Sequence, residues 1–137
     1  MKLKIYFDEV SAFVKERYGK SVALEGVGEH EVKVTYEEKV LFATAKKSVH
    51  IKVEDVRSDG VTFMYDGGVI VKPLISLALS SIKSFFPELA AAVIPEDGHR
   101  IRVELSEVKQ AQKALEMLAL KDVWVTGEGV SIEASLK

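Results

Sequence analysis

A chain of 137 residues, 47% hydrophobic and 29% charged, has the length and balance of one globular domain, and residues 1–137 read as a single domain. Its net charge of −2, with the two signs interleaved, offers no basic footprint for a phosphate backbone, so no nucleic-acid partner is expected. It has no cysteine, which removes disulfides, thiolate nucleophiles and thiolate-bound metals from its chemistry.

The opening residues Met1 to Phe7 contain lysines but no long apolar run or small-residue cleavage site, unlike a signal peptide. The expectation is a cytoplasmic protein if Met1 is the natural start, and an exported one if a signal peptide has been removed. Leu3, Ile5 and Phe7 alternate with polar neighbours and predict a short strand. Asp8 then suits an N-cap, and Val10, Phe13, Val14 and Tyr18 recur at helical spacing, so a short amphipathic helix is expected over about 9–18. Gly19 suits the position just past its end.

From Ser21 to Asp66 the period changes to two. Val22 and Leu24, then Val32, Val34 and Tyr36, then Val40 and Phe42, alternate with polar residues. Val49, Ile51 and Val53 follow, and then Val61, Phe63 and Tyr65. Turns are expected at Gly26-Val27-Gly28, Glu37-Glu38, Lys46-Lys47 and Ser58-Asp59-Gly60. Asp59-Gly60 is the most specific of these, because glycine accepts the positive φ of tight hairpins. Short connections join antiparallel strands, so this stretch reads as an antiparallel meander with one apolar face.

Residues 69–94 are unusual: 17 of 26 are apolar, and only Lys72, Lys83 and Glu88 carry charge. The charge-free stretches are far shorter than the ~20 residues a membrane span needs, so no transmembrane segment is expected. Pro73 fits a first helical turn and Pro87 would break a helix, which predicts two consecutive helices over about 73–85 and 87–94. Pro95 and the Glu96-Asp97-Gly98 turn would end the second. Ile101, Val103 and Leu105 then alternate as a strand, and Ser106 would cap a helix carrying Val108, Ala111, Leu115 and Leu118. Two last strands hold Val123 and Val125, then Val130, Ile132, Ala134 and Leu136, with a turn at Thr126-Gly127-Glu128-Gly129.

The 73–85 helix asks for more cover than one flat sheet provides. At about 100° per residue, Leu74, Ile75, Leu77, Ala78, Leu79, Ile82, Phe85 and Phe86 spread over roughly 200° of arc. A curved sheet, the 87–94 helix, a second copy of the chain or an apolar ligand would each answer that need. If Val123 and Val125 point inward, strand parity sends Trp124 to the other face, and Leu41, Ala43 and Met64 fall outward on the same argument. That outer patch is expected to seat the 9–18 or the 107–119 helix.

Catalytic chemistry leaves little trace. His30, His50 and His99 are scattered without metal-ligand spacing, and adjacent acid pairs such as Glu54-Asp55 point to opposite faces or sit in turns. Gly26-x-Gly28 lacks the third glycine and the following helix of a phosphate loop. No enzyme, no cofactor and no metal are expected.

The order of elements resembles the tubular lipid-binding superfamily, whose members wrap a curved antiparallel sheet around an apolar helix. The opening helix with the 21–66 meander, the apolar helix at 73–85 and the closing run from Ile101 through Ile132 carry the likeness. The resemblance implies an α+β fold with that curved antiparallel sheet on or around a central apolar helix, flanked by two further short amphipathic helices. It implies non-enzymatic binding of a lipid or other small apolar molecule between helix and sheet. The lining would be Leu74, Ile75, Ala78, Leu79, Ile82, Phe85 and Phe86, with no cofactor. The alternative is a protein–protein interaction module, a homodimer or a partner-binding domain, with no small-molecule ligand.

Overall fold

Runs of alternating β-branched and polar residues pair wherever a short connection brings one run back onto its neighbour. The computed structural model describes residues 1–66 and 87–137. It shows an α+β protein built mainly of antiparallel strands. The strands are β1 (Lys2–Tyr6), β2 (Val22–Gly26), β3 (Glu31–Val40), β4 (Ala43–Arg57), β5 (Gly60–Asp66), β6 (Val93–Glu96), β7 (Arg100–Glu104), β8 (Leu118–Val125) and β9 (Gly129–Leu136). Helix α1 spans Phe7–Tyr18 and helix α2 spans Lys109–Leu115, with 3-10 turns at Pro87–Ala92 and Leu105–Glu107.

The strands divide into two open sheets. The larger has the order β2-β3-β4-β5-β7-β6, and the smaller β1-β9-β8. The five runs of the expected meander become the first four strands of the larger sheet, each antiparallel to the last, because the run at Val40 continues β3. The smaller sheet pairs the first strand of the chain with the last, Leu3 opposite Ile132 and Ile5 opposite Val130. Irregularities between Val53 and Asp55 and between Leu120 and Asp122 add local twist.

The core lies where the sheets meet. Phe7, Val32 and Val125 form its buried centre, with Leu24, Val34 and Val130 packed against them. Strand β8 is fastened to the larger sheet at both ends: the Val125 N–H donates to the Glu29 carbonyl at 2.6 Å, and the Leu120 N–H to the Ser58 carbonyl at 2.8 Å. Two turns of the large sheet thus hold one strand of the small one.

Several expectations require correction. Phe7 does not end the first strand; it opens α1 and is buried, while the N-cap is Tyr6, and Asp8 lies in the first turn without a capping bond. Burying a phenylalanine between two sheets outweighs a surface capping bond of about 1 kcal/mol. Gly19 does close the helix, at φ 65° with its N–H on the Lys15 carbonyl. The 87–94 helix is a 3-10 turn followed by β6, which includes Pro95; as an edge strand, β6 tolerates a residue without an N–H. Ser106 lies in a 3-10 turn rather than capping a helix, and α2 starts at Lys109 beyond an N-cap at Val108. Leu118 belongs to β8, not to the helix.

At Ser58-Asp59 the turn stands as expected, but Gly60 acts differently. It pairs with Arg57 in the ladder, and a Cβ there would strike the Val103 carbonyl of the neighbouring strand. Close backbone approach, not positive φ, calls for glycine. The expected turns at Glu37-Glu38 and Lys46-Lys47 are absent: both pairs lie within strands, with Glu37 opposite Lys46 and Tyr36 opposite Lys47. The expected central helix at 73–85 lies outside the described residues.

Candidate docking surface

Losing those two turns changes the shape of the molecule. β3 and β4 run as one hairpin with unbroken register from Glu31 opposite Lys52 to Val40 opposite Ala43. Among the described residues, β2 pairs with β3 only as far as Tyr36, and β5 with β4 only as far as Asp66 opposite His50. The last four residue pairs of the hairpin therefore form a two-stranded arm of about 13 Å at ~3.3 Å per residue. Its root is fixed by Val32 and Val34 in the core and by Val49, which is only 2% exposed.

Leu41 and Phe42 form the connection at the apex, with 93% and 107% of their reference surface exposed. Leu41 has φ 57°, in the left-handed region where two-residue hairpin turns favour glycine and a leucine costs roughly 1–2 kcal/mol. With both side chains this exposed, no burial of their own offsets that cost. With positive φ at the first turn position and not the second, Gly-Asn would make a better turn, so the two side chains have no local reason to be there.

A second apolar surface lies on the smaller sheet. Leu3, Ile5 and Leu136 are 60%, 41% and 75% exposed, yet register puts them on the same face as the buried Val123 and Val125. The apolar face thus extends past the core. Trp124 is half-buried on the opposite face, as parity requires, and Lys2 Nζ lies 5.9 Å from its ring centroid. The expected outer patch is not one surface, because Met64 belongs to the other sheet and Leu41 to the arm's apex.

Charge on the larger sheet is engaged locally. Arg57 bridges Asp55 and Glu104, each at 2.9 Å, and Arg102 lies 3.3 Å from Glu96. The Arg100 Nε–H donates to Glu54 at 2.7 Å, and this hydrogen bond lowers the Glu54 pKa despite an opposing desolvation effect. His50 Nδ1 lies 3.3 Å from Glu31. Asp55, Glu104, Glu54 and Glu96 are thus each held by an arginine. Among the described residues no group of three His, Cys, Asp or Glu is placed to hold a metal ion.

The anticipated lining residues Leu74, Ile75, Ala78, Leu79, Ile82, Phe85 and Phe86 all lie outside the described residues. Sequence reasoning missed the apex by putting Phe42 in a strand, although a signal was present. Apolar residues hold one parity from Val32 to Val40 except at Glu38, and again from Ala43 to Val53 except at Lys47, which leaves Leu41 and Phe42 between two nearly continuous runs. Among the described residues no helix is long and apolar enough to cross a membrane. No family model, curated protein or solved structure matches the chain.

Proposed function

We propose that this chain is a non-catalytic docking module whose β3–β4 arm presents Leu41 and Phe42 to an apolar surface outside the chain. The carrying observation is the apex itself: two large apolar side chains are fully exposed, and one sits in a backbone conformation that disfavours it. A single reporter tests this reading. In a chain with Trp124→Phe and Phe42→Trp, the emission should shift to the blue when zwitterionic detergent micelles are added or when the protein is concentrated. Emission that keeps its water-exposed wavelength under both conditions would sink the proposal.

Binding of a lipid or other small apolar molecule is a second reading, favoured by the apolar face at Leu3, Ile5 and Leu136. Removing such area from water contributes about 25 cal/mol per Å² before association costs. Native mass spectrometry of protein purified from cells should then show added mass that disappears on denaturation. A bare chain mass would count against it.

A further inference from the structure

We infer that the surface met by the arm is a lipid bilayer carrying anionic headgroups, an inference that rests on the docking reading above. The size of the apex argues first. Two side chains offer roughly 300–400 Å², whereas each partner in a standard protein interface contributes about 800 Å². A lone knob on a narrow arm is too small for such an interface. A bilayer accepts it without a matching groove.

The backbone argues next. The ladder is paired as far as Val40 and Ala43, so the backbone groups that face across the arm are bonded to each other. Those of the turn and the outward-facing groups of both strands must bond water or headgroups, which limits the arm to a shallow, interfacial seat. Charge supplies the third argument. The segment from Lys39 to Lys47 reads KVLFATAKK, with three lysines and no acid in a chain whose net charge is −2. Lys46 is exposed and lies four residues behind Phe42, about 13 Å along the strand, while position 39 is two residues ahead of Leu41, about 7 Å away. An apolar group seated about 5–10 Å into the headgroup and acyl boundary would bring these positions to the phosphate level. Glu37 and Glu38 lie on the sheet side of the segment, and Glu37 stands opposite Lys46 in the ladder. The attraction is consequently modest, and the apolar pair must supply most of the hold.

Vesicle flotation tests the inference with the full chain. The probes are phosphatidylcholine vesicles, alone and with phosphatidylglycerol added. Wild-type protein should float with both, more strongly with the anionic mixture, and salt should reduce the difference as the Debye length shortens from about 10 Å at 0.1 M to about 3 Å at 1 M. Leu41→Gly with Phe42→Asn should weaken binding at least about tenfold through loss of apolar burial, without lowering the melting temperature, because Gly-Asn suits the turn. Lys39→Gln with Lys46→Gln should abolish only the preference for anionic vesicles. Wild-type protein that floats with neither vesicle overturns the inference, as does an apex variant that floats equally well. If the tryptophan reporter at the apex shifts in micelles while vesicles fail, the membrane inference falls and the docking reading stands. If Leu41→Gly with Phe42→Asn instead removes a concentration-dependent dimer and vesicles do not bind, the occupant is a second copy. If neither micelles, vesicles nor concentration shift the reporter, both readings fail.

Discussion

The root and the apex of the β3–β4 hairpin are made of similar residues in opposite environments. At the root, Val32 and Val34 pack with Phe7 and with Val125 of the small sheet, and Val49, paired with Val34 in the ladder, is buried. At the apex, Leu41 and Phe42 stand in water with nothing buried to compensate for exposing them. Hydrophobicity alone does not separate the two sets. What separates them is whether the fold brings a second layer over them, and that difference distinguishes stabilising residues from residues free to act on something else.

Mutations should divide along this line. Phe7→Ala, at the centre of the core, should cost about 3–5 kcal/mol and lower the urea midpoint sharply. A small effect would mean that the two sheets do not depend on their shared core. Gly26→Ala places a Cβ against the Thr126 carbonyl and Val125, where strand β2 passes the small sheet, and should cost about 1–3 kcal/mol. A neutral result would show that the sheets part easily there.

On the arm the effects shrink. Glu37→Lys sets two lysines directly across the ladder and should cost at most about 1 kcal/mol. A charge scan that finds no penalty at 37 against 46, but one at another pairing, would disprove the register. Arg100→Ala should act through Glu54, whose pKa is lowered by the Arg100 hydrogen bond. A carboxyl with a depressed folded-state pKa adds stability above the carboxylate range and loses it as pH falls through its folded value. The variant should therefore be slightly less stable than wild type near neutral pH, with the gap closing on acidification; a gap constant from neutral to strongly acid pH would exclude this linkage. Last, Leu41→Gly with Phe42→Asn should leave the denaturation midpoint unchanged or slightly raised. A clear loss of stability would place the apex among the structural residues and erase the contrast with the root.

Much of the fold was legible in the residues. The period-two runs located the meander strands, and the inward parity of Val123 and Val125 agrees with their burial. Gly19 marked the end of the first helix because its left-handed φ suits glycine best. The two missed turns of the meander share one cause. Glu37-Glu38 and Lys46-Lys47 look like turns, yet Glu37 faces Lys46 across the ladder while Glu38 and Lys47 stand opposite Ala45 and Tyr36. The doublets also interrupt the apolar parity at Glu38 and Lys47, so only the continuous ladder pairing overrides the bends they suggest. The exposed apex was the least legible, because a leucine and a phenylalanine among so many apolar residues look like core.

By itself the sequence determined which residues alternate, which faces are apolar, and that short connections make neighbouring strands antiparallel. Only the tertiary structure decided that the chain divides into two sheets, that its first strand pairs with its last, and that β7 takes a place between β5 and β6. Local pattern sets the face a side chain occupies. The partner laid across that face comes from distant parts of the chain, chosen by the burial that all elements achieve together, and it is this choice that buries Val32 under Phe7 and Val125 and leaves Leu41 and Phe42 in water.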